Sequence, residues 1–378
     1  MSSETSARSA ESRKQELALS LRVVSESYEF AALKDEWDSL AAECPDCDFF
    51  VTWTWVHAWW EKFGRDFELR IYTVRDQDGQ LRGLLPCYLQ QQRIVFGMVE
   101  FYELRYLGTG IGPQSSYHDL IARPKDRALV TKTIIPHLVS ESAVWDVLTL
   151  NDMPAESPLT RTLPRDMPGH LFQGKRTPTA IVELPPSWAF YLETLEPDDR
   201  ANLIACRERF AFEGSVEFGL DTDKSAIRES LATLTDLSQS RGGQSPKSLG
   251  DFFNLMSGLL SESKRFRTYT VKQNGTTEAV LVTYHWRDTL YCAEFAASSA
   301  VSALDPYRLL VSRAIEDAIA IGASRVDLLG GNLDIKRQLA LQTRETVTLG
   351  AYRANNKGKL IRLRREFRQR GGQITSNS

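Results

Sequence analysis

Arg70-Ile71-Tyr72-Thr73-Val74-Arg75 returns later in the chain as Arg267-Thr268-Tyr269-Thr270-Val271-Lys272. The residues after each copy match as well. Asp76-Gln77-Asp78-Gly79 and Gln273-Asn274-Gly275 are turn sequences, because Asp-Gly and Asn-Gly accept the positive φ of a tight hairpin. They lead into a second pair of apolar runs, Leu81–Leu89 and Glu278–Trp286. Further on, Leu129-Val130, Ile134, Val144–Leu148 and Leu150 align in order with Leu309–Val311, Ile315 and Arg325–Leu329. Each copy therefore reads as hairpin, helix, strand. A repeat of this length carries enough apolar surface for a core of its own, so it marks a duplicated domain and not a solenoid.

The chain has 378 residues, 42% apolar and 25% charged, with a formal net charge of −3. That composition predicts a globular protein of two domains with no overall pull toward nucleic acid or membranes. No run approaches the roughly 18 uncharged apolar residues that a spanning helix needs. Residues 1–20 read as a polar, disordered leader without the apolar stretch of a signal peptide, which makes the cytoplasm the expected location. The five prolines between Asn151 and Pro178 mark the seam. The expected units are an N-terminal domain over 21–178, a C-terminal domain over 179–356, and a basic helix and tail over 357–378. Five scattered cysteines fit a reducing compartment, and Cys44-Pro45-Asp46-Cys47 lacks the second pair a zinc site would need, so no metal is expected.

In the first copy, Thr52 can cap a helix over Trp53–Phe63, with Trp53, Val56, Trp60 and Phe63 on one face and Trp55 and Trp59 beside them. Four of the eight tryptophans stand in this segment. Two readings fit it: a bulky face packed on the first sheet, or an aromatic wall, with Trp53 as its substrate-binding candidate. Gly108-Thr109-Gly110-Ile111-Gly112-Pro113 is a flexible loop. Gln114–Leu120 after it leads into a short strand, where a phosphate-binding loop would lead into a helix. His118-Asp119 is an acid–base candidate, with His118 also a substrate contact; on a strand these neighbours point to opposite faces.

In the second copy, helices are expected near 188–195, 200–213, 225–240 and 248–262, the last two joined by a loop over 240–246. Strands are expected near 266–272, 278–286 and 289–297. Asp305-Pro306 opens a helix closed by Gly322, and the strand Arg325–Leu329 ends in Gly330-Gly331-Asn332. Lys357, Lys359, Arg362, Arg364, Arg365, Arg368 and Arg370 form the one strongly basic stretch, read either as a solvated terminal helix or as a site for an anionic partner.

Five segments in this order resemble a known family: Trp37; Phe50…Trp53…Trp59-Trp60…Phe63; Gly83-Leu84-Leu85-Pro86; Trp188…Tyr191-Leu192…Arg200-Ala201-Asn202-Leu203…Arg207; and Val326–Gly331…Lys336. Together with the duplication, they are similar to the double-domain acyltransferases of the GNAT superfamily, within it the BioF2-like group whose members include CelD and BcsL. That group is associated with cellulose and exopolysaccharide formation. The FemAB peptidyltransferases are a more distant likeness. The resemblance spans about residues 25–355 and implies an α+β fold of two tandem GNAT-like domains, each a mixed, mostly antiparallel sheet flanked by helices. It also implies an acyl thioester lying where a central strand splays from its neighbour, here Thr289–Ala297 and Arg325–Leu329. The co-substrate would be acetyl-CoA or another acyl-CoA, and the acceptor an amine or hydroxyl, a saccharide precursor among them.

On that footing Glu294, Tyr291 and Asp327 are the catalytic candidates, Glu294 first as base, since Tyr291 and Glu294 cannot share one face of a regular strand. Tyr307 and Arg308 are the cofactor-binding candidates, and Lys336 is placed to bind an anionic substrate. One departure stands out: Ala296–Arg308 contains no glycine where such sites use a glycine-rich loop, so Arg308 would have to bind phosphate directly while Asp305 repels it. Two rival readings remain, an aminoacyl-tRNA-dependent transferase served by the basic 357–370 stretch, and a non-catalytic partner in a polysaccharide-producing assembly.

Overall fold

A computed structural model describes residues 19–94, 99–141, 143–167, 169–238, 246–260, 265–340 and 342–374. Most of the expected leader and the 240–245 loop lie outside the described residues. The first half runs β1 (Ser20–Val24), α1 (Ser27–Ala32), α2 (Lys34–Ala42), α3 (Trp53–Phe63), β2 (Glu68–Arg75), β3 (Leu81–Ile94), β4 (Val99–Tyr106), β5 (Ile121–Ala122), α4 (Arg127–Ser140) and β6 (Val147–Pro154). A connecting stretch holds α5 (Leu159–Asp166), β7 (His170–Gln173), β8 (Thr177–Glu183) and α6 (Trp188–Thr194). The second half continues with α7 (Pro197–Phe212), β9 (Val216–Asp221), α8 (Lys224–Ser238), α9 (Pro246–Leu260), β10 (Phe266–Gln273), β11 (Thr276–Trp286), β12 (Thr289–Ala297), α10 (Pro306–Ala320), β13 (Arg325–Asp327) and α11 (Leu333–Arg337). Strand β14 (Gln342–Tyr352) and helix α12 (Asn356–Ile374) close the described chain.

The strands form one mixed sheet in the order β1-β2-β3-β4-β6-β14-β8-β13-β12-β11-β10-β9. Each half contributes an antiparallel meander that ends in a single parallel pair, β4 with β6 and β12 with β13. The expected α+β class and the tandem arrangement hold. Both hairpin turns use the left-handed backbone that their sequences predict, at Gly79 in the first and at Asn274 and Gly275 in the second.

The repeated Arg-x-Tyr motif has a packing reason. On β2, Arg70 donates to Glu141 at 2.7 Å and the Tyr72 hydroxyl donates to the same carboxylate at 3.0 Å. On β10, Arg267 pairs with Asp317 and the Tyr269 hydroxyl donates to it at 2.7 Å. In both halves, two side chains two residues apart on one strand face anchor a carboxylate at the C-terminal end of the crossover helix, α4 or α10.

The last strand of each half is exchanged. β8 follows the first half in sequence but pairs antiparallel with β13, and β14 follows the second half but pairs with β6. A division at 178/179 therefore runs through β8, and β14, within 179–356 by sequence order, completes the sheet of the first half. Strand order on paper cannot show this, because both exchanges are non-local.

Helix α3 is capped by Thr52, which accepts from the Trp55 amide, and it is sandwiched between the halves. Its deepest residues are Trp55, Val56, Ala58 and Trp59, while Trp60 and Phe63 are half-buried. The buried face is wider than one helical stripe because α9 covers the helix from the second half: Trp55 meets Phe252 edge-on at 5.0 Å. Just before the helix, Phe49 stacks on Tyr284 at 4.8 Å. Helix α12 docks on the first half, with Lys357 paired to Asp146 at 2.7 Å and Arg365 to Glu103 at 3.0 Å. Part of the basic stretch thus neutralises buried acids of the sheet. No described helix is long and apolar enough to cross a membrane.

Removing either anchoring carboxylate should leave a buried tyrosine hydroxyl without its acceptor and a half-buried arginine without this one, at a cost of about 1–3 kcal/mol per carboxylate. Glu141→Ala and Asp317→Ala lie in different halves and share no partner, so their losses in urea denaturation should add in the double variant. Strong non-additivity would show that the anchors are not independent.

Candidate functional site

Strands β12 and β13 pair at three positions only, Thr289↔Arg325, Leu290↔Val326 and Tyr291↔Asp327. Beyond Asp327 the chain keeps bonding to the β8 side, the Leu328 amide donating to the Ala180 carbonyl at 2.9 Å, and turns away through Leu329 and Gly331, both at positive φ. β12 runs on to Ala297. The strands part into a V, and beyond Tyr291 the edge of β12 that β13 leaves faces a cavity of about 330 Å³. Glu294, Cys292, Phe295, Tyr307 and Lys336 line it, together with Gly330 and Gly331.

β12 is not a regular strand. Glu294 sits opposite Val282 and Tyr291 opposite Tyr284, with a register shift between Val282 and Thr283. Val282 and Tyr284 are two apart and share a face, so the bulge around Ala293 puts Tyr291 and Glu294 on that face too. The alternation argument against their sharing a face assumed an unbroken strand. They nevertheless part company in depth. Glu294 is half-buried in the cavity wall, whereas Tyr291 is fully buried and donates to Asp48 Oδ1 at 2.8 Å.

Asp327 lies below the floor of the V and is not among the cavity-lining residues. It accepts from the Leu329 amide at 2.7 Å, which shapes the turn. The Tyr117 hydroxyl sits between it and Thr179 Oγ1, the latter at 2.6 Å. Lys336 reaches back from α11 and donates to the carbonyls of Leu328, Leu329 and Gly330. Its ammonium thus clasps the turn, and burial lowers its pKa from the usual value. Burial pushes the Cys292 thiol up to about 12, so it is a neutral wall and not a thiolate at neutral pH.

At the start of α10, Tyr307 stands in the cavity, its ring edge-on to Phe295 at 5.1 Å and its hydroxyl pKa raised by burial. Arg308 turns elsewhere. Its guanidinium donates to Asp305 Oδ2 at 2.8 Å and to Gln338, while Asp305 Oδ1 caps the helix by accepting from the Arg308 amide. A carboxylate therefore occupies the helix N-terminus, whose amides would otherwise favour an external anion.

Trp53 and His118 stand away from this cavity. Trp53 is a core residue that donates to the Phe30 carbonyl at 3.1 Å and stacks on His57 at 4.1 Å. His118 is buried in the corresponding V of the first half. Its amide donates to the Asp152 carbonyl on β6 and its ring stacks on Tyr106 of β4, so the 107–120 loop fills that gap. Burial drives its pKa down to about 3. Residues 114–120 are irregular, the strand being confined to Ile121–Ala122, because Tyr117 takes a left-handed φ that breaks extended backbone. Sequence reasoning missed Gln114, which reaches from this first-half loop to the second-half cavity and lies against Gly330. No periodicity or motif links those positions. Cys44 and Cys47 are both buried thiols, Cys44 accepting from Arg127.

Part of the chain matches a known family. Residues 198–337 match the acetyltransferase (GNAT) domain. The matched stretch contains α10, β12, β13 and the V between the strands. Among solved structures, FemX superposes with a TM-score of 0.59 at 10% identity, covering 87% of this chain and 98% of that one. A tandem GNAT protein from the clavulanic acid biosynthesis pathway gives 0.52 at 11% identity, covering 90% and 100%. The C-terminal domain of a putative lysylphosphatidylglycerol synthetase from Agrobacterium fabrum gives 0.53 at 10% identity, covering 88% and 95%. At these identities the likeness is one of fold. A comparison with curated proteins finds no match.

Burial pushes the Asp327 carboxyl from 3.8 up to about 6. The folded state then holds this proton more tightly than the unfolded chain, so the stability it contributes is full below about pH 3.8 and is lost as pH rises through about 6. Asp327→Asn keeps an oxygen for the Leu329 amide and should flatten the fall in unfolding free energy across that window. The residual slope sums Asp119 and Asp152, also raised by burial, and His118, whose lowered pKa acts in the opposite sense. Urea titrations at several pH values check this; an unchanged slope would refute it.

Proposed function

We propose that the chain is an acyltransferase that moves an acyl group from acyl-coenzyme A to an amine or hydroxyl acceptor, with the donor in the V between β12 and β13. The observation that carries this reading is the V itself: a bulged strand that parts from β13 beyond Tyr291 and opens on a cavity of about 330 Å³ within the stretch that matches the GNAT domain. The exposed amides of β12 would hold the thioester carbonyl and the oxyanion that forms on it. Glu294 would take the proton from the attacking group and later return it to the departing thiolate. Tyr307, which keeps its proton because burial raises its pKa, would donate a hydrogen bond to the sulfur. Tyr291 and Asp327 would position β12 and the turn through their buried hydrogen bonds. Lys336 would hold that turn, and a phosphate near the helix start would have to draw Arg308 away from Asp305 and Gln338.

A second reading rests on Asp305. Its carboxylate at the helix N-terminus favours an acyl donor with no pyrophosphate there, such as the aminoacyl ester of a tRNA. Against that, Lys357 and Arg365 of the basic stretch are already paired with sheet acids. A saccharide acceptor in cell-envelope or exopolysaccharide metabolism would suit the first reading.

Calorimetric titration of acetyl-coenzyme A into the pure protein tests the proposal. Saturable binding is expected, tightened several-fold by Asp305→Asn, which keeps a cap and a residue tolerant of the left-handed φ at 305 while removing the repelling charge. Glu294→Gln should bind acetyl-coenzyme A within twofold of the native protein but release thiol to amine acceptors about 10²–10⁴ times more slowly. No saturable binding at millimolar ligand, in the native protein and in Asp305→Asn, overturns the reading.

A further inference from the structure

The Tyr284 hydroxyl on β11 is buried and has no hydrogen-bond partner among the described residues. Its ring is wedged among other aromatic rings. Phe49 stacks on it at 4.8 Å, Phe266 and Trp55 meet it edge-on at 5.4 and 5.7 Å, and Phe253 lies at 6.5 Å. A phenylalanine would fill this site without taking an O–H out of water, and an unmet buried donor costs free energy. Other buried tyrosines show the usual solution. Tyr72, Tyr88, Tyr191, Tyr269 and Tyr291 donate to a carboxylate or a carbonyl, and Tyr117 bonds to Thr179. Tyr106, in the filled V of the first half, shares the lack of a partner.

The β11–β12 register sets what this hydroxyl can meet. Glu294 pairs with Val282, and the bulge around Ala293 turns it onto the face that Val282 shares with Tyr284. Glu294 and Tyr284 are thus diagonal neighbours, a spacing that aromatic and long side chains bridge. Burial and the Glu294 charge hold the Tyr284 pKa well above the usual value, so the hydroxyl keeps its proton and can only be a donor to that carboxylate. Helices α8 and α9 present apolar residues to this face, Ile227, Leu231 and Leu234 from one and Phe252 and Phe253 from the other. Their charged residues Arg228, Glu229, Asp236 and Asp251 are exposed. From α11, Lys336 also acts on Glu294 by charge, while Cys292 and Tyr307 in the cavity wall are kept protonated by burial.

We infer that Tyr284 is a positioning residue for Glu294: its hydroxyl donates to the Glu294 carboxylate and holds it ionised and in one rotamer, ready to accept a proton. The bond is not made in this structure, and the long side chain of Glu294 reaches it by a change of rotamer. A donor to the charged form of a carboxylate favours that form, which is the form a base needs. The assignment rests on the acyltransferase reading for what Glu294 does, but not for the pairing itself. The bare hydroxyl costs the resting protein stability and is kept for the site, an exchange common where a buried polar group serves function.

The test is Tyr284→Phe in the full chain, with Tyr269→Phe as the structural comparison. In urea denaturation Tyr284→Phe should unfold at a midpoint no lower than the native protein's, since it loses no bond. Tyr269→Phe gives up its bond to Asp317 and should unfold at a lower one. Carboxyl-carbon NMR of glutamate-labelled protein, with Glu294→Gln identifying the signal, reads the base directly. Tyr284→Phe should raise the proton affinity of Glu294 about tenfold, and Tyr269→Phe should leave it unchanged. The inference is overturned if Glu294 titrates alike in the native protein and Tyr284→Phe, or if Tyr284→Phe lowers the urea midpoint as far as Tyr269→Phe does. A shifted Glu294 in a protein that does not bind acetyl-coenzyme A would retain the pair and sink the donor reading alone. An unshifted Glu294 in a protein that binds it would sink the pair alone.

Discussion

Five paired positions between β14 and β8, from Gln342↔Ile181 to Thr346↔Thr177, join the two halves into one sheet, and the site exists because of that join. Each of these strands belongs by pairing to the half that did not precede it in the chain, so neither half can move without breaking a ladder in the other. A charged network reinforces the seam. Arg344 of β14 donates to Asp48 at 2.8 Å and to Glu156 at 2.9 Å, and Asp48 also accepts from Tyr291 of β12. The Arg344 guanidinium lies 4.1 Å from the ring centre of Tyr117, whose hydroxyl meets Thr179 on β8. Loss of any one member would leave a desolvated charge behind, which costs far more than the network adds over an apolar packing. Its service is to fix the relative placement of the halves.

Duplication has produced two Vs with opposite fates. In the first half the loop after β4 folds back into the gap, and His118 and Tyr106 stack inside it where a ligand would lie. In the second half β12 leads through a short turn into α10, and the gap stays open. The filled V is not idle. By packing into its own gap, the first-half loop is pressed toward the seam, and Gln114 arrives at the open V of its neighbour.

The legible part of the fold was the part set by short-range pattern. Asp78-Gly79 and Asn274-Gly275 determine hairpins through backbone sterics, Thr52 and Asp305-Pro306 start helices through capping, and the alternation in Arg70–Arg75 and Arg267–Lys272 marks strands buried on one face. The same locality placed Glu294, Tyr307 and Lys336 near one cleft, and all three line its cavity, since they follow from the order hairpin, helix, strand in the second copy. Local pattern misdirected where the strand was not ideal. One bulge near Ala293 reverses the facing of everything beyond it, and no residue type there announces it. Lys336 and Arg308 were assigned to anions by their charge, but charge does not say which partner is nearest, and both are held by groups of the protein itself.

The sequence by itself determined a duplicated α+β chain, the boundaries of most of its elements, and an unusual helix start without glycine at 296–308. Only the tertiary structure decided which V is open, that β8 and β14 change places, and that Gln114 of the first half reaches the cavity of the second. The physical reason is range. Propensity, capping and turn chemistry act over a few residues and are written in the residues concerned. Strand exchange and the filling of a gap by a loop depend on which distant surfaces gain most by being buried together, a comparison made only when the whole chain has folded.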